Sequence, residues 1–407
     1  MSFSEKQRQI LTFPYTDRSA LICDGAIRSG KTSVMSLSFI LWAMGNFSGQ
    51  SFGICGKTVV SAERNIVKPL QSIFYLKQQF KLRFANHVLT VSRGERTNTF
   101  YIFGGRDESS YQLIQGITLA GVLLDEVALM PRSFVEQALA RCSVAGSKFW
   151  FNCNPEGPQH WFFTEWVQKA NERNALHLHF TLEDNPSLSQ EIKDRYKAMY
   201  TGVFYDRYIM GEWVVAEGRI YQQFADQPER FLLRGSTQGM QGRFYVSIDY
   251  GTLNPCSMGL WCVRGKEAVR IKEWYYDGRA TGRQKTDEEY YTALEELTAG
   301  YYITKVIVDP SAASFIETIR RHGRFQVWHA VNDVLDGIRV TSTLLSAGIV
   351  KIHEGCKDAI REFSLYRWDE KNGSDKVLKE NDHAMDEIRY FCYTILAREF
   401  RWADWRN

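Results

Sequence analysis

Residues 25–32 read Gly-Ala-Ile-Arg-Ser-Gly-Lys-Thr. Glycines at this spacing let backbone N–H groups close around phosphate oxygens, and a helix beginning at the Lys-Thr pair adds the partial positive charge of its N-terminus. Such a loop cradles ATP. Gly25, Ser29 and Gly30 form the cradle, Lys31 reaches the β and γ oxygens, and Thr32 ligates Mg²⁺. Residues 120–126, Ala-Gly-Val-Leu-Leu-Asp-Glu, form an apolar strand ending in two acids. In that position Asp125 holds the Mg²⁺ shell and Glu126 orients and deprotonates the attacking water. Arg28 inside the loop either neutralises γ-phosphate charge or is simply solvated. Asn152 and Asn154 follow the strand-like Phe149-Trp150-Phe151, where their amides sense the γ-phosphate or cap a loop. Gln7 and Gln9, ahead of the first strand, read the adenine edge or belong to an ordinary polar helix face.

A second set of acids stands in the other half of the chain. Asp249 ends the apolar run 244–248, Asp309 ends 305–308, and Asp382, His383 and Asp386 open the last helix on one face by i+3 and i+4 spacing. Two strand-end aspartates and a helix aspartate can hold two Mg²⁺ or Mn²⁺ ions about 4 Å apart, the arrangement for in-line phosphodiester hydrolysis. Small hard cations demand oxygen ligands, and these are carboxylates. Acids also suit helix starts and turns after strands, so spacing alone leaves both readings open.

The elements that must position these groups follow from periodicity. Between residues 20 and 152, short apolar strands at 20–23, 51–55, 120–124 and 148–152 alternate with a helix at 61–79 and a hairpin at 88–103, which predicts an α/β fold with a mainly parallel sheet. Residues 180–215 read as helical, and 216–241 are polar and turn-like, suggesting a linker. Strand-like runs at 244–248, 257–263 and 269–274, a helix at 286–297, a strand at 305–308 and a helix at 383–397 predict a mixed α/β domain. The expected division is 1–215, a linker at 216–241, and 242–407.

Composition excludes several classes. With 407 residues, 44% hydrophobic and 14% aromatic, the chain can bury large cores. A net charge of +3 is too mild to mark a polyanion binder, so any nucleic-acid contact must come from a local patch. Eight cysteines without a C-x-x-C pair read as reduced thiols, with neither a zinc site nor disulfides. A polar N-terminus and the lack of any run approaching ~18 apolar residues point to a soluble, intracellular protein with no membrane span.

Together the arginine-containing phosphate loop, Leu-Leu-Asp-Glu, Asn152-Cys153-Asn154-Pro155, Gly211-Glu212-Trp213, Asp249-Tyr250-Gly251 and Asn381-Asp382-His383-Ala384-Met385-Asp386-Glu387-Ile388-Arg389-Tyr390 resemble the large terminase subunit of tailed bacteriophages, of the type found in phages and prophages of Gram-positive bacteria. The resemblance implies an N-terminal ASCE-type P-loop ATPase that drives translocation of double-stranded DNA, and a C-terminal RNase H-like nuclease that cuts concatemers into genome units. It implies Asp249, Asp309 and Asp386 as metal ligands and His383 as an auxiliary group. Members often carry alanine where this chain has Glu387, whose carboxylate should point elsewhere. The implied partners are a small terminase subunit and the portal of a procapsid. A homo-oligomeric ring, pentameric by resemblance, forms on docking from a chain that can be monomeric in solution in the host cytoplasm. A helicase-nuclease of DNA repair is the alternative, but the second half shows no second ATPase-like lobe. An arginine finger beyond Arg28 would then come from a neighbouring copy, with Arg93, Arg96 and Arg106 as candidates. An ATP-driven switch without hydrolysis would have little need of Glu126.

Overall fold

The runs 20–25 and 121–125 are buried at every position, the pattern of strands covered on both faces, and they lie inside a sheet. The computed structural model describes residues 3–369 and 375–399. It divides into two units. One comprises the chain to Lys197 together with Tyr205–Val215, and the other Ala198–Phe204 together with the chain from Ala216.

In the first unit, β1 (Ala20–Gly25), β2 (Ser51–Gly56), β3 (Lys81–Ala85), β4 (Val88–Arg93), β5 (Arg96–Gly104), β6 (Gly121–Asp125), β7 (Lys148–Asn152) and β8 (Ala175–Phe180) form one sheet in the order β3-β4-β5-β2-β6-β7-β1-β8. Every pair from β5 to β8 is parallel, while β3 and β4 extend the β5 edge as an antiparallel meander. Alternate residues feed two cores: Leu21, Cys23, Leu123 and Trp150 pack on one face, and Ala20, Ile22, Leu124 and Phe151 on the other. Gly121 is required where it stands, since a Cβ there would lie 2.7 Å from the Trp42 ring.

The expected helix at 61–79 is segmented. A helical turn Val59–Ala62 runs into a π turn Glu63–Val67, then Lys68–Ser72, and the chain breaks at Ile73 before Phe74–Gln79. Pro69 lacks an N–H and would clash with the carbonyl four residues back, at Asn65, and the wider π turn falls at that position.

The second unit is a mixed sheet of β9 (Leu232–Leu233), β10 (Arg243–Asp249), β11 (Cys256–Arg264), β12 (Glu267–Tyr276), β13 (Ile303–Val308), β14 (Val327–His329) and β15 (Val350–His353), ordered β14-β13-β10-β11-β12-β15-β9. β10, β11 and β12 are antiparallel, and the outer strands on both sides are parallel to their neighbours. The stretch read as a linker carries a helix, Gln222–Asp226, and β9, which pairs with Ile352 and His353. A two-residue edge strand is too short to leave a periodic signal. All eight cysteines are free, and among the described residues no helix is long and apolar enough to cross a membrane.

Glu387 does point away from the acids around it. It is fully buried, its Oε2 lies 2.8 Å from Arg270, also fully buried, and its Oε1 accepts from Ser247 and from the Trp261 indole at 3.0 Å. Gly259 leaves the room for this pair, because a Cβ there would collide with both side chains. Arg270 is shared with Glu273, whose Oε2 accepts from its Nη1 at 2.7 Å, so removing Glu387 leaves Arg270 one counter-charge and orphans the Ser247 and Trp261 donors. Glu387→Ala is therefore expected to cost about 1–3 kcal/mol. Urea melts of the purified chain measure it, and a loss under about 1 kcal/mol would show that Glu273 and water take over what Glu387 held.

Candidate active sites

The carboxyl ends of β1, β6 and β7 meet at one level, because Asp125 pairs with Asn152 and Asn152 with Cys23 in register. After β1 the chain turns through Arg28 (φ 57°) and Gly30 (φ 83°) into the helix Lys31–Asn46. The Thr32 hydroxyl donates to Asp125 Oδ1 at 3.1 Å, and the Asn152 amide donates to Thr32 Oγ1 at 2.8 Å and to Asp125. Lys31 Nζ is buried and donates to the carbonyls of Gly25 and Ala26 at 3.0 and 2.6 Å, and to Ser29 Oγ at 3.2 Å. It also lies 3.4 Å from Asn154 Oδ1, so both asparagines stand at the loop. Burial pulls Lys31 down to about 8 and pushes Asp125 up. Arg28 Nη2 and Asn152 Oδ1 are buried without a hydrogen-bond partner. An unpaired guanidinium nitrogen inside a phosphate loop suits a phosphate oxygen. Glu126, next after Asp125, takes the left-handed conformation at φ 60°, a costly one for a non-glycine residue that clusters at functional sites.

Gln7 and Gln9 both lie on the helix Glu5–Thr12 and, two residues apart, leave its axis about 200° from one another. Gln7 is buried, caps its own helix through Ser4, and donates to the Ser29 carbonyl at 3.2 Å, bracing the loop. Gln9 is half-buried and its backbone carbonyl accepts from Thr12. Arg96 donates to the carbonyls of Met44 and Gly45, and Arg93 lies over the Phe80 ring, so each has a contact within its own unit.

In the second unit, β10 and β13 are parallel neighbours with Ile248 opposite Val308, which sets Asp249 and Asp309 side by side at the strand ends. The helix His383–Phe391 packs on β10 and β11. Its residues at i, i+3 and i+7 share a face: His383 Nδ1 lies 2.9 Å from Asp249 Oδ2, Asp386 is next, and the Tyr390 hydroxyl donates to Asp309 Oδ2 at 2.7 Å. Arg389 donates to Asp386 Oδ1 at 3.0 and 3.1 Å. Burial pushes Asp249 up to about 6, with the charges of Asp386 and Asp309 adding to it against the hydrogen bond from His383. Burial would lower His383, but the Asp249 bond and charge raise it. Asp249 thus feels the charge of both other carboxylates, and an all-oxygen donor set fits a hard divalent cation. Their spacing is not that of a closed cage. Among the described residues no three acidic, histidine or cysteine side chains stand close enough to share an ion, and each of the three carboxylates holds a donor from its own chain.

The family described as "Terminase large subunit, T4likevirus-type, N-terminal" matches residues 22–227, which include the phosphate loop, Asp125 and Asn152. The chain belongs to the large terminase subunits. It is similar throughout to the large terminase of a thermophilic bacteriophage, with 48% identity, a TM-score of 0.91, and coverage of 97% of this chain and 100% of that one. The same thermophilic phage protein in complex with ATP-gamma-S aligns with a TM-score of 0.87 at the same identity and coverage. The large terminase subunit of Escherichia phage T5 is 23% identical over 295 residues, and the match spans 67% of this chain and 65% of the phage T5 protein. The terminase's first unit is accordingly an α/β fold with a parallel-rich sheet behind its phosphate loop, and its second a mixed α/β fold.

Several site residues of this terminase escape a reading of motifs. Asn65, on the π turn, stands near enough to Asp125 to favour its charged form, and Asn185 donates to the Arg28 carbonyl at 2.6 Å. Asp24, one residue before the loop, is buried against His177 at 2.9 Å, His179 at 3.2 Å and the Trp213 indole at 2.6 Å. Burial alone would raise Asp24, yet these three donors hold it well below the usual carboxylate range. In the second unit the fully buried Glu362 accepts from the Ala384 N–H at 2.6 Å and from Tyr275 at 2.7 Å, capping the helix that carries His383 and Asp386. Only Trp213 carries a signal, through its place in Gly-Glu-Trp; the others are single polar residues in ordinary stretches.

Proposed function

We propose that this terminase hydrolyses ATP in its first unit to drive double-stranded DNA into a procapsid, and cuts concatemeric DNA into genome units with the carboxylates of its second. The observation that carries the ATPase reading is the buried Lys31 beside the bonded set Thr32, Asp125 and Asn152. Gly25, Ser29 and Gly30 bind the phosphates through backbone N–H groups, and Lys31 exchanges its loop carbonyls for phosphate oxygens. Thr32 and Asp125 would hold Mg²⁺, which would supply charge neutralisation across the phosphates. Glu126 accepts the proton of the attacking water, and Arg28 stabilises charge on the transferred group. Asn152 and Asn154 report phosphate occupancy to the strand ends.

For the nuclease, Asp249, Asp309 and Asp386 would hold two Mg²⁺ or Mn²⁺ ions, which would supply water activation and charge neutralisation at the scissile phosphate. His383, oriented by Asp249, assists a ligand or leaving group without holding metal. The family supports action in the host cytoplasm with a small terminase subunit and a portal, as a homo-oligomeric ring. The finer placement among phages of Gram-positive bacteria rests on the motif set alone. ATPase assay with and without DNA, followed by plasmid cleavage in Mn²⁺, tests both halves. Glu126→Gln is expected to bind ATP as the parent does and to lose turnover by about a hundredfold or more, since an amide cannot accept the proton while Asp125 still holds Mg²⁺. Hydrolysis at the parent rate would remove Glu126 as the base.

A further inference from the structure

Both oxygens of Asp386 are held by cations of very different freedom. On Oδ1 sits Arg389, which is 1% exposed and donates also to Asn332 Oδ1 at 3.1 Å and the Asp333 carbonyl at 3.3 Å. A Cβ on Gly337 would lie 2.6 Å from Arg389 Cγ, so the guanidinium is walled in. On Oδ2 sits Lys379, 3.4 Å away, whose ammonium also lies 3.2 Å from Asp382 Oδ2. Its side chain is 64% exposed, and it belongs to the irregular stretch that precedes the helix His383–Phe391. A lysine is a compact point charge on a flexible stem, and among the described residues the polar contacts of this one are to the two carboxylates alone. The two cations therefore divide the work. Arg389 keeps Asp386 ionised and aimed, while Lys379 covers the oxygen that faces an exposed position.

We infer that Lys379 is a tethered competitor of the divalent cation at Asp386, holding the nuclease in check until metal displaces its ammonium. This rests on the reading of Asp386 as a metal ligand. A divalent ion taking Asp386 Oδ2 must break the contacts of Lys379 with Asp386 and Asp382, and no other group on that oxygen has to move. Arg389 cannot play this part, because its release would leave a buried guanidinium with neutral partners and no counter-charge. The consequence is a nuclease whose metal requirement is set by one exposed side chain outside the carboxylate set.

The test is calorimetric titration of Mn²⁺ into the full chain without nucleotide, comparing the parent with Lys379→Gln, Lys376→Gln and Asp386→Asn. Lys376 is exposed on the same stretch and forms no ion pair with these acids, so its substitution removes the same charge without removing the competitor. Lys379→Gln is expected to lower the half-saturating Mn²⁺ concentration about fivefold, the worth of a partly exposed ion pair. Lys376→Gln should lower it by less than about twofold. Equal shifts in the two variants, or none in Lys379→Gln, would overturn the competition while loss of binding in Asp386→Asn kept Asp386 as a ligand. Unchanged binding in Asp386→Asn would overturn the ligand reading and the inference with it.

Discussion

Lys31→Ala loses ATP turnover by about a thousandfold and leaves Mn²⁺-dependent DNA cleavage near the parent rate. The ammonium is buried among loop carbonyls and held near 8 by burial, so it carries a desolvated charge that a triphosphate can recover and bulk water cannot. Alanine removes the only lysine of the loop and leaves the Gly25 and Ala26 carbonyls without their donor. The carboxylates at Asp249, Asp309 and Asp386 belong to the other unit, with its own sheet and core. Steady-state phosphate release and plasmid nicking, measured on the same folded preparation, decide it. Equal loss of both activities would mean that the two chemistries are not separable by unit.

Asp249→Asn and Asp386→Asn should each lower nuclease activity on the order of a thousandfold, as removal of a group that supports developing charge does, yet shift thermal stability in opposite directions. Simple crowding of three like charges would make either neutralisation stabilising. The partners on the helix His383–Phe391 change that. Asp249 is pushed up from the ordinary 3.8 to about 6, so the native state holds its proton more tightly than the unfolded chain. Ionising it costs stability, a cost that builds as pH rises from about 4 to about 6 and is complete above that. Asparagine removes this cost and still accepts from His383, so in chelator-containing buffer at pH 8 Asp249→Asn melts above the parent, with the gain absent near pH 4. Asp386 is instead the counter-charge of the buried Arg389. Its neutralisation strands a guanidinium, and Asp386→Asn melts below the parent at both pH values. Melting shifts of one sign for both variants, together with nicking at the parent rate, would return these acids to the role of turn and cap residues.

Chemistry that depends on local spacing is legible in the amino-acid sequence by itself. The phosphate loop works through backbone N–H groups of consecutive residues, and Asp125 and Asn152 announce themselves as polar residues ending apolar strands, so their roles are written in contiguous letters. Asp249 and Asp309 are visible for the same reason, and the alternation of strands and helices outlines both sheets. Tertiary structure decided everything that depends on which residues meet across the chain. It paired Asp249 with His383 across more than a hundred residues, set Arg389 and Lys379 on the two oxygens of Asp386, and turned Glu387 into an interior ion pair with Arg270. It spent Gln7 on the loop backbone and joined β9 to the second sheet. Such pairings leave no periodic trace, because a hydrogen bond or ion pair over long sequence separation is fixed by packing, and packing is a property of the whole sheet and its helices, not of any window along the chain.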